Sequence, residues 1–355
     1  MSQVPPHLPP PSCSIEEHHK WQRIKVLLVA VVFGLLAGIS GASMLVGWVW
    51  PGFGGGDSWI LSSGVTNTSR DLLDVRTRVE IEDRVASVYR DISGTAGINY
   101  LSPDKKIGEA IFVSSDGWLT LYHPTYNGDF KNWRVLLNGG HSYVVQKVLK
   151  DTNSNLVYIK INADQSGAQF KVVNFGDESK LLEDVYVYSH NSWYHTWITN
   201  KVSQSFRSPH LDSAPSTAIE LNESFDEGDL VIGAQGKIVG LVSSGHYVLP
   251  GQYIANVLPG ILGAQKVTYR TLGVFGWFSQ QQPIIVKNEL TSGFAVARVF
   301  LDKSKLKAGD IILEVNGQIA DSENLWYNII SNQNLKLKVL RKGKIIEFTQ
   351  DVLEN

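Results

Sequence analysis

The sequence predicts a mostly β protein, an antiparallel barrel or sandwich body carried behind a single membrane-spanning helix. Three observations predict it. Residues 26–50, VLLVAVVFGLLAGISGASMLVGWVW, carry no charge and are long enough to cross a bilayer as a helix. From about 107 to 262 the chain becomes a series of short runs rich in Val, Ile, Tyr and Phe, such as AIFV, WLTLY, RVLL, YVVQKVL, LVYIKI, VYVYS, LVI and KIVGLV, separated by Gly, Asn, Asp and Ser. No long helical pattern interrupts those runs, which favours antiparallel over parallel pairing.

Taken in order, residues 1–23 read as a cytoplasmic tail whose first 19 residues are rich in Pro and polar side chains. The membrane helix is assigned to 24–50. Lys20, Arg23 and Lys25 lie at its start and no Lys or Arg follows until Arg70, so the N-terminus stays in the cytoplasm and the body lies outside it, periplasmic or at the cell surface. Trp48 and Trp50 stand at the far interface, and Gly34, Gly38 and Ala42 form a small-residue stripe that suits helix packing. A cleaved signal peptide is the competing reading, against which stands an apolar run longer than an ordinary h-region. Residues 51–70, with PGFGGGDS and SSGVTNTS, read as a flexible linker.

Residues 71–90 show helical spacing in part and deliver the chain to a body assigned to 71–264. In 223–240, ESFDEGDLVIGAQGKIVG, an acidic stretch precedes a hairpin that turns at Gln235-Gly236. A second folded unit is assigned to 265–355. It holds a strand at 294–300, the passage KAGDIILEVNGQ with an Asn316-Gly317 turn signal, a helix capped by Asp321, and a final hairpin. In the helix Leu325, Trp326, Ile329 and Ile330 share a face.

Composition narrows the function classes. With 32 basic against 34 acidic residues and a net charge of −2, nothing points to nucleic acid. Cys13 is the single cysteine and precedes the apolar segment, so the body has neither a disulfide nor a thiolate metal cage. His190 and His195 lie close together in SHNSWYHTW, but no third ligand is indicated, and ordinary loop histidines are the simpler reading. No metal or cofactor is expected.

KLKAGDIILEVNGQ resembles the core of a PDZ domain, and read backwards from there the chain resembles the HtrA/DegS family of trypsin-fold serine proteases. The order of parts is that family's: anchor, linker, double antiparallel β-barrel, C-terminal PDZ domain. IGEAIFVSSDGWLTLYHPT resembles the segment leading to the catalytic histidine and puts His123 there; KDTNSNLVYIKI resembles the segment of the catalytic aspartate and puts Asn155 there. FGDESKLLEDVYVYS resembles the start of the second barrel, and ESFDEGDLVIGAQGKIVG resembles the nucleophile loop, with Asp226 at the serine's position. The resemblance covers roughly residues 80–353.

The departures fall on the chemistry. Acyl transfer needs a hydroxyl nucleophile, a histidine base and an orienting carboxylate, and of these His123 alone is kept. The resemblance also implies glycines two before and one after the nucleophile, where this chain has Ser224 and Glu227. Asp151 and Ser224 would serve as acid and nucleophile only if both loops were re-routed. In the PDZ unit the resemblance implies a carboxylate-binding loop at Thr271-Leu272-Gly273-Val274, with Leu272, Val274, Leu325 and Ile329 around the pocket for a peptide's last side chain. The stretch FGWFSQQQP (275–283) is longer and more aromatic than the family pattern and stands where it would narrow the groove.

The sequence therefore predicts a membrane-anchored, extracytoplasmic protease homologue without proteolytic activity. It would bind polypeptide C-termini or unfolded proteins as a scaffold, sensor or regulator. An active endopeptidase using Ser224, and a decoy subunit of active relatives, are the alternatives, and the resemblance implies a homo- or hetero-trimer.

Overall fold

The computed structural model describes residues 73–90, 94–95, 98–162, 169–176, 180–204 and 208–355. The expected tail, membrane helix and linker lie outside the described residues, among which no helix is long and apolar enough to cross a membrane.

Helix α1 covers Val75–Glu82, a shorter span than the helical spacing suggested. Its buried residue is Ile81, whereas Val75 and Val79 are exposed. Val85 and Val88, inside the 71–90 stretch whose spacing read as partly helical, belong to strand β1 (Val85–Tyr89). The correction has a simple cause: β1 is paired along both edges, and ladder bonds outweigh a weak local helical preference.

Two closed barrels follow. The first runs β1, β2 (Lys106–Phe112), β3 (Trp118–Tyr122), β6 (Leu156–Ile161), β5 (Ser142–Lys150), β4 (Arg134–Leu137) and back to β1. The second runs β8 (Ser192–Ser203), β10 (Thr217–Leu221), β13 (Tyr247–Pro250), β12 (Ile238–Ser244), β11 (Leu230–Gly233) and β7 (Asp184–Ser189). Between β8 and β10 lies a two-residue strand, β9 (His210–Leu211), which leaves the barrel altogether.

Strand alternation explains how one core serves both barrels. In β6 the side chains of Val157, Ile159 and Ile161 enter the first barrel, while Leu156 and Tyr158 point the other way. There they meet Tyr188, Leu230, Ile232 and Leu241 of the second barrel and Ile254 and Val257 of helix α2 (Gly251–Ala264). Because both faces of β6 are buried, its sequence LVYIKI is nearly all apolar.

After α2 the chain forms a sheet in the order β9, β14 (Val274–Phe278), β15 (Phe294–Val299), β16 (Ile311–Val315), β17 (Asn334–Arg341) and β18 (Lys344–Asp351). Asn316 and Gly317 sit at φ +50° and +83° between the paired Val315 and Gln318, the type I′ turn expected of that dipeptide. Asp321 caps helix α3 (Ser322–Ser331), accepting from the amides of Glu323 and Asn324. The Gly-Asp pair of KAGD has a structural purpose. Asp310 is buried, accepts the Lys307 amide, and takes a bidentate Arg341 guanidinium at 2.8 and 2.7 Å. Trp326 of α3 packs against Tyr253 of α2 with ring centroids 4.6 Å apart, tying the sheet unit to the second barrel.

Candidate functional site: the inter-barrel cleft and the edge of the C-terminal sheet

Three loops meet between the barrels. His123 follows β3 directly, and its amide donates to the Asn155 carbonyl at 3.0 Å, so the two residues are held together by the backbone. Asn155 takes φ +58°, which an Asn tolerates better than most residues, and its side-chain amide lies 3.5 Å from Tyr122 Oη. The turn before β11 closes on the same place, since a Cβ at Gly228 would stand 3.4 Å from the Tyr122 carbonyl.

The carboxylate of Asp226 is engaged elsewhere. Its Oδ2 lies 2.9 Å from His190 Nε2, with the two side chains 76% and 70% exposed. An ion pair so open to water contributes about 0–1 kcal/mol, but it decides where the carboxylate points. His190 and Asn191 form the two-residue turn between β7 and β8, both with positive φ, and this puts the imidazole at a hairpin tip over the cleft. The pocket on the Asp226 side is lined by Lys106, Glu109, His190, Asp226, Glu227 and Asp229, and neither His123 nor Asn155 is among its lining residues. Ser224 is exposed beside Gly245, whose added Cβ would come within 3.3 Å of its Oγ.

The electrostatics of His123 follow from this. Its pKa is lowered, first by burial and then by the positive charges of Arg90 and Lys150. Among the described residues no carboxylate forms an ion pair with it. The ring instead lies 5.8 Å from the Trp133 ring and 6.2 Å from that of Tyr126. Asp151 is buried on the far side of its loop, bonded to Ser154, Tyr269 and the Asn153 amide. Asp229 is pushed up by burial and by Asp226, and drawn down by Ser189, the Asp226 amide and His190. His195, the other histidine weighed as a ligand, pairs with Asp184 at 3.1 Å. No group of three metal-binding side chains occurs among the described residues.

At the second location, β9 pairs antiparallel with the outer edge of β14, Leu211 opposite Phe275 and His210 opposite Gly276. Just past β9, the Asp212 amide donates to the Val274 carbonyl at 3.2 Å. Its side-chain carboxyl accepts from the Leu272 amide at 2.6 Å and from Thr271 Oγ1 at 2.5 Å. The Gly273 amide, at φ +81°, turns instead to Thr271 Oγ1 at 2.9 Å. Leu272, Val274, Leu325 and Ile329 are all fully buried in one core. Phe275–Phe278, expected to narrow a groove as part of an insertion, is the strand itself, and the segment lying against that edge is β9.

No protein-family model matches the chain. A curated relative from Marinomonas sp. strain MWYL1, a probable periplasmic serine endoprotease DegP-like, is 30% identical over 271 residues, covering 67% of this chain and 55% of the relative. The chain belongs to the HtrA-like family. A serine protease HtrA-like from Staphylococcus aureus strain RF122 is 20% identical over 280 residues, 68% of this chain and 35% of that one. The chain thus spans about half the length of the first of these relatives. Among solved structures, the HtrA-type protease AlgW with a decapeptide aligns at TM-score 0.53 and 17% identity over 79% of this chain and 98% of that one. AlgW with a tripeptide aligns at 0.53 and 18%, over 79% and 96%. The two barrels are therefore the trypsin-like double barrel of HtrA proteases.

In this HtrA-like chain the backbone joins His123 to Asn155, brings Gly228 of the Asp226 turn against Tyr122, and leaves Ser224 beside the turn at Gly245. Sequence reasoning missed two participants. His190 carried a usable signal, the His-Asn pair between two β runs, which marks a hairpin tip. Asp212 carried none: SPHLDSAPS reads as a loop, and its partners Thr271 and Leu272 lie 59 and 60 residues further on.

Proposed function

We propose that this HtrA-like protein has kept the protease scaffold, lost the peptidase chemistry, and acts by recognising polypeptides through its C-terminal unit, a PDZ-like module. The observation that carries the first half is the Asp226–His190 pair at 2.9 Å, together with the bond from the His123 amide to Asn155, which stands where the orienting carboxylate would be. A carboxylate in the serine's place attacks an amide poorly, because the adduct is an anhydride. It also puts negative charge where an oxyanion must form. Loss of the serine costs such enzymes about a millionfold, and Asp→Asn at the orienting position about ten-thousandfold. These losses do not add, yet either alone abolishes useful turnover.

Recognition of polypeptides rests on different chemistry. A chain end that adds to a sheet edge is held by backbone amides, which survive side-chain replacement. AlgW, which shares the fold, has been solved with peptides bound. The family's anchored, extracytoplasmic arrangement belongs to the same proposal, supported by the uncharged run at 26–50 and by relatives named as periplasmic. The test is degradation of an unfolded protein by the full chain and by His123→Ala. Equal, background-level rates are expected, and wild-type cleavage lost in His123→Ala would overturn the reading.

A further inference from the structure

The edge of β14 is the place where an added strand would bind, and it is filled by the chain's own residues. The filling has the form of a ligand. β9 runs antiparallel to β14, in the sense a peptide takes when its last residue reaches the start of that strand. At that start a carboxyl group sits against the Leu272 amide and the Thr271 hydroxyl, and it is the side chain of Asp212. The main chain of Asp212 donates to Val274 and then turns away, the Ala214 amide closing on the Leu211 carbonyl at 3.0 Å. So the backbone leaves the groove at the residue whose side chain supplies the carboxyl.

The contact is also well buried. Leu211 and Asp212 are 3% and 1% exposed, and the His210 ring packs 5.6 Å from Phe278 and 6.1 Å from Phe294. A carboxyl taken this far from water is costly unless hydrogen-bonded, and the donors that hold it come from Thr271, Leu272 and Ser213. Those donors are therefore built for a carboxyl group, and the chain provides one internally.

We propose that residues 209–213 are an intramolecular pseudo-ligand: Asp212 occupies the carboxylate site of the C-terminal unit, and a polypeptide with a free C-terminus binds only by displacing the segment. The inference rests on the peptide-recognition reading given above and adds its regulation. Because β9 lies on the connection between β8 and β10, displacement would pull directly on the second barrel. Peptide occupancy is thereby coupled to the barrel that carries His190 and Asp226. An occupied groove also lowers apparent affinity by the fraction of molecules in which it is open, so a segment docked in 90–99% of molecules weakens binding about 10- to 100-fold.

The experiment uses the full chain in detergent, with a fluorescent peptide ending in an apolar residue, its amidated counterpart, and hydrogen exchange over 271–276. Asp212→Ala should bind the free peptide about 10- to 100-fold more tightly than wild type, leave the amidated peptide unbound, and raise exchange over 271–276. Asp212→Asn, which keeps an acceptor for the Leu272 amide, should fall between them and serves if the alanine variant does not fold. Equal affinity in wild type and both variants, or unchanged exchange over 271–276 in both, would overturn the pseudo-ligand. Raised exchange with no peptide bound by any form would show that Asp212 holds the segment docked but would overturn peptide recognition, and with it the displacement.

Discussion

The inter-barrel cleft and the edge of the C-terminal sheet are the two surfaces on which the proposed function rests, and they depend on different parts of the chain. The cleft depends on side chains. Its backbone brings Tyr122, His123, Asn155 and Gly228 together, and the proposed loss of chemistry there rests on two side chains, Asn155 beside His123 and Asp226 paired with His190. The sheet edge depends on main-chain donors and acceptors, the Leu272 amide and the Val274 carbonyl among them, and these remain whatever side chains surround them. A few substitutions can therefore empty the first site of its chemistry, whereas the second can be disabled only by covering it.

That contrast can be broken most severely at Gly276, on β14 opposite His210. A Cβ there would stand 2.0 Å from the Ala295 carbonyl and 2.7 Å from the Phe294 ring. Gly276→Val should cost more than about 3 kcal/mol and unfold the C-terminal sheet while β1–β6 still melt cooperatively, as hydrogen exchange followed by mass spectrometry would report. A milder break is Arg341→Ala, which leaves buried Asp310 without its guanidinium. Because Arg341 keeps a quarter of its side chain in solvent, the expected loss is about 2–3 kcal/mol by thermal unfolding, short of the full buried-pair value.

The pH dependence of the two sites should run differently. Burial pushes Asp212 up to about 7, opposed by the donors from Thr271, Leu272 and Ser213, none of them charged. A carboxyl with a raised docked-state pKa favours docking most below its free value near 4 and progressively less as pH rises to about 7. Affinity for a free C-terminal peptide should therefore climb by up to about tenfold per pH unit across that window and level off above it, while Asp212→Ala shows no such climb. In the cleft, His123 should titrate below the ordinary imidazole range in an NMR titration, being half-buried and facing Arg90 and Lys150. With a lowered folded pKa, its contribution to stability is present above the unfolded value near 6.5 and is lost as pH falls from there through the lower folded value. This is the smallest effect of the four.

What could be read in the sequence, and what could not, divides along the same line. The barrel strands and the final sheet were legible because period-two burial and turn chemistry are local, as in LVYIKI, Asn316-Gly317 and the Asp321 cap. The C-terminal part of the first expected helix was misread because its Val spacing suits either period and pairing decides the outcome. In the cleft, the strands and turns that carry His123, Asn155 and Asp226 were legible, since β3, β6 and the hairpin after Asp226 follow the local pattern. The partner of Asp226 was not, because His190 reaches it across 36 residues. The filling of the sheet edge was least legible of all. A two-residue strand has no pattern of its own, and its stability comes wholly from the edge it joins.

The most direct test of the proposed loss of peptidase chemistry is exposure of the full chain to a fluorophosphonate probe, read by intact mass and by mapping any modified residue. The expected result is no covalent adduct, because the proposal puts Asp226, paired with His190, at the serine's position and Asn155 beside His123. An adduct on Ser224 that disappears in His123→Ala would contradict the account, because it would show a histidine-activated serine.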